Sequence, residues 1–141
     1  MDIVKVKITT MLMVDEAGNE DVIELVTEAT MEKENEDDSI IINYDESDIS
    51  ENKGTKTRLK INKNKMIMTK VGNISSRMEF EEHKSYNNLY TTPYGNFNLD
   101  FNTLIFNNNL DEFGKGSIYI EYKIIFGGSD ESYNKIKIDI Y

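Results

Sequence analysis

The sequence predicts an all-β protein, namely a single antiparallel up-and-down β-barrel of about eight to ten strands. Apolar and polar residues alternate with a period of two along most of the 141 residues, which is typical of strands that bury one face. Turn residues separate many short segments of this kind, which favours a meander of sequential strands. Closing such a meander into a barrel removes its exposed edges. We therefore predict one domain over residues 1–141, with a β-sandwich as the main structural alternative.

The N-terminal half is predicted to form a series of hairpins. In the first strand, the residues at even positions from Val4 to Val14 form an apolar face, and the residues at odd positions lie on the opposite face. A turn at 15–20 follows, since Gly18 and Asn19 adopt a positive φ readily. Further strands are predicted over residues 23–31, 39–46, 55–61, 66–70 and 76–81, with turns between them at 48–54, 62–65 and 72–73.

In the C-terminal half, the residues that define one strand face change from even to odd sequence positions, and this change requires a turn. Aromatic residues and threonines occupy even positions from Tyr90 to Tyr94 but odd positions from Phe97 to Thr103. A face cannot change parity without an extra residue or a turn, so residues 93–95 are predicted to form one. The proline there agrees, because it cannot donate to a central ladder. A longer loop is predicted over 107–116, followed by strands over 118–126 and 136–140 with a turn at 127–130.

The charge balance restricts the partners that this protein can bind. Acidic residues number 26 and basic residues 16, which gives a net charge of −10. Such a surface is repelled by phosphate backbones and by anionic lipids, so we expect neither a nucleic-acid partner nor a membrane partner. The most basic stretch, residues 53–70, is interleaved with apolar residues and is interpreted as the solvated outer face of two strands.

The absence of cysteine and the N-terminal pattern indicate the cellular compartment in which this protein is expected. The absence of cysteine excludes disulfides, thiolate catalysis and cysteine-based zinc sites, and it agrees with a reducing compartment. Residues 1–14 carry Asp2, Lys5 and Lys7 within an alternating pattern, unlike a signal peptide or a membrane-spanning helix. We therefore expect a cytoplasmic protein.

The sequence contains no motif that predicts catalysis, a cofactor or a metal site. His83, the sole histidine, lies in a polar stretch and is interpreted as an exposed loop residue rather than a general base. The acidic run Glu32–Asp38 lacks the spacing of a calcium-binding loop and is interpreted as solvated. The glycines at 114, 116, 127 and 128 open no amphipathic helix, so a phosphate-binding loop is not predicted. We expect that the protein is not an enzyme.

A set of inward-facing residues has the composition of a small-molecule pocket. Five apolar side chains are predicted to face the interior: Ile42, Leu59, Met68, Met78 and Ile120. Strand alternation turns seven further side chains to the same side: Tyr44, Glu46, Thr57, Lys70, Tyr90, Tyr94 and Tyr122. An apolar wall with a few polar anchors is typical of ligand sites. Lys70 and Glu46 would be the charged anchors and could form an ion pair with each other. Alternatively, these polar groups satisfy one another and hold no ligand.

Several segments together resemble a known family. They are Tyr44–Glu46, Gly54, Thr57, Leu59–Ile61, Lys70–Gly72, Met78–Phe80, Tyr90–Gly95 with its Thr-Pro-Tyr-Gly element, Thr103, Gly116 and Tyr122. This pattern covers nearly the whole chain and resembles the YwiB-like family of small bacterial proteins, a domain of unknown function. The resemblance implies a calycin-type barrel, related in shape to lipocalins and fatty-acid-binding proteins, and it implies no activity. Lys70 stands where the family usually has arginine, so the planar fork that pairs bidentately with anions is lost.

Two main hypotheses about function follow from the sequence, and a third, an enzyme, would need a strongly perturbed ionisable group in a cleft. The first is a non-enzymatic barrel, monomeric or homodimeric, that binds a small and partly apolar ligand at its open end. The alternative is a protein-interaction module whose acidic outer surface meets a basic partner, with neither ligand nor catalysis. An exposed apolar patch on the outside of the barrel would favour the alternative.

Overall fold

The computed structural model describes residues 2–13, 20–34, 36–45, 55–72, 75–126 and 130–141. It consists of ten strands: β1 (Asp2–Met13), β2 (Glu20–Lys33), β3 (Ile40–Asp45), β4 (Lys56–Ile61), β5 (Lys65–Val71), β6 (Ser76–Glu81), β7 (Ser85–Thr92), β8 (Gly95–Leu110), β9 (Gly116–Phe126) and β10 (Asp130–Ile140). They form one antiparallel sheet in the order β6-β5-β4-β3-β2-β1-β10-β9-β8-β7. Apart from β1 and β10, neighbours in the sheet are neighbours in sequence, so the predicted up-and-down meander is confirmed.

The barrel is nearly closed where the two edges of the sheet, β6 and β7, meet. Ser75 and Thr91 form an isolated antiparallel bridge through two backbone hydrogen bonds of 2.8 and 2.9 Å. Below this bridge, the His83 amide donates to the Thr103 carbonyl at 2.9 Å, and the Thr103 amide donates to the Lys84 carbonyl at 3.1 Å. We call the end at which β2, β4, β6, β8 and β10 begin the upper end of the barrel, and the opposite end the lower end.

Apolar side chains fill the middle and lower interior of the barrel. The five residues predicted to face inward, Ile42, Leu59, Met68, Met78 and Ile120, are all buried, which confirms the period-two interpretation. On one wall, cross-strand partners run in the rows Ile40–Ile61–Met66–Phe80 and Ile42–Leu59–Met68–Met78. On the other wall, β9 and β10 contribute Ile118, Ile120, Ile136, Ile138 and Ile140. Burying each such side chain contributes about 1.5–3 kcal/mol, so this packing is the main source of stability.

A β-bulge in β8 changes the predicted C-terminal half. The register between β8 and β9 shifts between Thr103 and Ile105, so Leu104 is an extra residue in this strand. The residues of β8 that face inward have odd numbers up to Thr103 and even numbers from Phe106 onward, so Phe106 lies in the core. Because pairing resumes after the bulge, β8 continues to Leu110, and most of the loop expected over 107–116 is absent.

The described turns agree with the sequence-based expectations. Strand β7 ends at Thr92 and β8 begins at Gly95, which confirms the turn at the proline. The hairpin between β4 and β5 is closed by a bond of 2.8 Å from the Asn62 amide to the Lys65 carbonyl. The turns expected at 15–20, 48–54 and 127–130 lie largely outside the described residues.

Substituting Gly116 tests a close backbone approach at the start of β9. Gly116 has a φ of +137°, and a Cβ there would collide with the backbone carbonyl oxygen of Asn109. Gly95 has a φ of +138°, but a Cβ there would meet no atom within 4 Å. We expect each alanine variant to lose about 1–3 kcal/mol of unfolding free energy through backbone strain. In urea unfolding, Gly116→Ala should lose at least about 1 kcal/mol more unfolding free energy than Gly95→Ala. Equal losses in the two variants would contradict the close approach.

Candidate functional site

Three of the predicted ligand-binding residues meet in one row of cross-strand partners at the upper end of the barrel. Tyr44 on β3 pairs with Thr57 on β4, and Thr57 pairs with Lys70 on β5. Tyr44 and Thr57 are buried and Lys70 is half-buried. Directly opposed residues of antiparallel strands point to the same side with Cβ atoms about 5 Å apart, so these three side chains are neighbours on the interior face.

Two hydroxyl residues that the sequence interpretation did not select extend this set. Ser76 on β6 is the partner of Lys70, and Thr55 lies two residues before Thr57 on the same face. Ser76 is 6% exposed and Thr55 is 0% exposed, and their hydroxyl oxygens have no hydrogen-bond partner among the described residues. We call Tyr44, Thr55, Thr57, Lys70 and Ser76 the polar row. Strand parity could have identified both residues, but serine and threonine are too common in strands to be singled out.

Tyr122 lies at a different level of the interior. Its ring packs edge-on against Phe80, with centroids 4.9 Å apart, and lies 6.2 Å from the ring of Phe101. Phe80 is four residues from Ser76 along β6, a distance of about 13 Å. Tyr122 therefore packs within the apolar core and does not join the polar row. Its cross-strand partner Thr103 is also buried, and the Thr103 hydroxyl has no partner among the described residues.

Of the remaining three predicted residues, Tyr94 lies away from the polar row, and the structure describes the side chain of neither Tyr90 nor Glu46. The expectation that Tyr94 faces the interior is wrong, because it occupies the turn between β7 and β8 and is 94% exposed. Strand parity, on which that expectation depended, does not extend into a turn. Tyr90 lies on β7 opposite Phe97. Glu46 lies outside the described residues, so its ion pair with Lys70 stays a prediction.

Exposed apolar side chains accompany the polar row at the upper end. Ile23 on β2 and Phe97 on β8 occupy inward positions, yet they are 59% and 50% exposed. Strands β2 and β8 are at least twice as long as β3, β4 and β6, so their first residues lack an opposing wall. Phe97 is level with the polar row, because its partner Tyr90 adjoins the Ser75–Thr91 bridge, whereas Ile23 lies six residues, about 20 Å, above the level of Tyr44.

Two concave regions lie outside the packed interior. A groove of about 710 Å³ crosses the outer face of β1 to β5, and Tyr44 and Thr57 contribute to its lining. It follows the cross-strand row Ile3–Thr30–Asn43–Arg58–Thr69. A second concavity of about 680 Å³ lies at the lower end, between the start of β1 and the loop 111–115. None of the described residues in the predicted site lines this second concavity.

A carboxylate on the outer face of β9 has a clearly shifted pKa. Glu121 accepts hydrogen bonds from the phenol groups of Tyr119 at 2.6 Å and Tyr133 at 2.7 Å, which hold its pKa below the usual value. The bond to Glu121, together with burial, raises the pKa of Tyr133. His83, by contrast, has a largely exposed side chain with the Glu82 carboxylate 3.9 Å away, as expected for a loop histidine.

The described part of the chain offers no ready metal site. Within it, no three or more His, Cys, Asp or Glu side chains are grouped so that they could hold a metal ion. The same residues include no helix that is long and apolar enough to cross a membrane.

The fold and the polar row define a class of protein, a small up-and-down β-barrel with polar groups inside one end. The sequence matches the domain of unknown function DUF1934 over residues 6–138, and this chain belongs to that family. The crystal structure of the ywiB protein from Bacillus subtilis matches with a TM-score of 0.81, covering 98% of this chain and 89% of that chain at 20% identity. This match confirms the YwiB-like resemblance and the barrel fold. No curated protein matches the sequence.

A pair of serine variants tests whether the Ser76 hydroxyl is unpaired. Ser39 is equally buried, but its hydroxyl donates to the side-chain carbonyl of Asn62. We expect Ser39→Ala to lose about 1–2 kcal/mol of unfolding free energy, because it removes a buried hydrogen bond. Ser76→Ala should be neutral or gain up to about 1 kcal/mol, because it removes a hydroxyl that has no partner among the described residues. Equal losses in urea unfolding would mean that Ser76 is paired.

The bonds to Glu121 predict a pH-dependent stability difference. A lowered carboxyl pKa in the folded state stabilises the protein above the ordinary glutamate pKa, and this contribution is lost as the pH falls through the lowered value. Glu121→Gln should therefore lose about 1–2 kcal/mol at neutral pH, and the difference from wild type should shrink in acid. Tyr133→Phe serves as a second variant that removes one of the two bonds. A difference that stays constant with pH would contradict the role of the ionised carboxylate.

Proposed function

We propose that this protein is a non-enzymatic, cytoplasmic barrel that binds a small and partly apolar ligand at its upper end. The observation that carries this proposal is a set of buried polar atoms without a hydrogen-bond partner among the described residues. They are Thr55 Oγ1 and Ser76 Oγ in the polar row, with Asn88 Nδ2 and Thr103 Oγ1 deeper in the interior. An unpaired buried donor or acceptor costs about 1–3 kcal/mol, so several such atoms in one interior favour a polar partner from outside the chain.

The surroundings of the polar row support a ligand that is also partly apolar. Phe97, which is level with Ser76, offers exposed apolar surface there. Covering 100 Å² of such surface contributes about 2.5 kcal/mol, which would add to the hydrogen bonds made by the polar part of the ligand. Ten strands also enclose a wider interior than the eight that suffice for packed side chains or one small ligand.

A role as a protein-interaction module is the second candidate, and features of the outer face favour it. The groove across β1 to β5 has exposed apolar residues at both ends, Ile3 and Val71. Val22 and Val26 on the outward side of β2 are about half exposed. The net charge of −10 would suit a basic partner. In that case the interior would hold only the side chains of this chain and water.

Native mass spectrometry of the purified protein, compared with its denatured mass, distinguishes the two candidates. We expect a mass excess from one small molecule in the native protein. Thr55→Val and Ser76→Ala should reduce its retention about tenfold, because each removes a hydrogen bond to the ligand. Phe113→Ala, at the exposed rim of the lower concavity, is the control and should retain the molecule.

The other outcomes are equally informative. A clean mass without ligand, together with a dimer or a complex, would favour the interaction module. Loss of the bound molecule in Phe113→Ala alone would place the ligand at the lower end and contradict the role of the polar row.

A further inference from the structure

We propose that the tip of the β7–β8 hairpin, residues 89–98, is a flap that opens to admit the ligand to the interior of the barrel. This inference rests on the proposed function and adds the route to a site that is closed in this structure. Thr55 and Ser76 are buried, although their hydroxyls have no partner among the described residues. A ligand can reach these atoms only if part of the surrounding wall moves.

The barrel wall has its fewest backbone hydrogen bonds between β6 and β7. Every other pair of neighbouring strands in the described sheet is joined by a ladder of at least four residue pairs. Between β6 and β7, the only strand pairing among the described residues is the bridge from Ser75 to Thr91. This bridge consists of two backbone hydrogen bonds. Separating these two strands therefore breaks fewer bonds than separating any other neighbours.

The flap extends beyond the ladder that joins β8 to β9. That ladder begins at the pair Leu99–Phe126, so residues 95–98 of β8 pair only with β7 in the described part of the chain. An isolated two-stranded hairpin is at best marginally stable. Three apolar side chains of the flap, Leu89, Tyr94 and Phe97, are at least half exposed and so add little buried surface. A segment of this kind opens at low cost while the rest of the sheet stays folded.

The lower ends of β6 and β7 are held together much more firmly. The Tyr86 phenol on β7 donates to the Glu81 carboxylate on β6 at 3.0 Å, and the Lys65 ammonium lies 5.4 Å from the centre of the Tyr86 ring. The turn between these strands is fixed to β8 by the two backbone bonds that join His83 and Lys84 to Thr103. The hairpin thus has an anchored base and a lightly held tip, which is the arrangement of a hinged flap.

The bridge that holds the flap adjoins the polar atoms that a ligand would contact. Ser76 directly follows the bridge residue Ser75 along β6. On β7, Asn88 lies three residues from Thr91 and is the partner of the buried Leu99, so its side chain is at an inward position. Its buried Nδ2 atom has no partner among the described residues. Opening of the flap would therefore uncover unpaired polar atoms on both sides of the gap.

A single introduced thiol can measure how often the flap opens. The chain contains no cysteine, so Ser76→Cys places one reactive group beside the bridge. Thr91→Pro removes the amide that donates to the Ser75 carbonyl, and it spares the β7–β8 ladder because this amide points toward β6. We expect Thr91→Pro to accelerate the reaction of Ser76→Cys with iodoacetamide at least about fivefold, because loss of the bridge raises the population of the open flap.

Two controls separate flap opening from a general loss of structure. Leu89→Pro is the matched control, since residues 89 and 91 present their amides to the same side of β7 and neither amide belongs to the β7–β8 ladder. It should leave the labelling rate of Ser76→Cys within about twofold. Thr103→Cys places a thiol at a buried position of β8 away from the flap, and Thr91→Pro should not accelerate its labelling unless the whole barrel unfolds.

Release of the co-purified molecule links the flap to binding. After dilution, native mass spectrometry should show that Thr91→Pro loses this molecule at least about fivefold faster than Leu89→Pro, because release requires the open flap. Equal release rates would mean that the molecule leaves by another route and that the inference is wrong.

The remaining outcomes distinguish failure of this inference from failure of the proposed function. If Thr91→Pro does not accelerate labelling of Ser76→Cys, or if Leu89→Pro accelerates it equally, the flap inference is wrong. A mass excess in the native protein would still support the proposed function in that case. If labelling responds to Thr91→Pro alone but the native protein carries no bound molecule, the flap opens as inferred and the proposed function fails.

Discussion

The two edges of the sheet meet although its strands differ more than twofold in length. Strands β3 to β6 have six or seven residues, whereas β1, β2, β8, β9 and β10 have between 11 and 16. At about 3.3 Å per residue, the short wall is about 20 Å tall and the long wall about 36 to 53 Å. The short wall can close only the lower part of the interior, which is apolar. The polar row lies where the short wall ends.

Period-two alternation was sufficient to predict most of this architecture. Inward and outward faces follow from the sequence alone, and the turn at the only proline follows from a change of parity. The sequence did not predict the bulge at Leu104, because an extra residue is detected only when the partner strand is known. The depth of Tyr122 in the barrel could not be predicted from the sequence either, since it depends on how distant strands are staggered around the barrel.

The sequence predicted part of the candidate site, and the residues that it missed show why the prediction was incomplete. Tyr44, Thr57 and Lys70 were identified because aromatic, hydroxyl and charged residues stand out on an otherwise apolar face. Ser76 and Thr55 stand out only because their hydroxyls have no partner in the part of the chain that the structure describes, and that property exists only in the folded chain. The family and the matched crystal structure support the fold. Groups that reduce stability without an evident structural benefit are typical of functional sites.

The pairing of β1 with β10 joins the first and last strands of the described chain. Seven residue pairs connect Val6–Leu12 with Asn134–Ile140. During synthesis, β1 can pair with β2 on one side at once, but its other edge has no partner until residues 134–140 have left the ribosome. Throughout this interval an unpaired strand is accessible to other nascent chains. Lys5 and Lys7, at outward positions of β1, place charges that discourage edge-to-edge association until the last strand arrives.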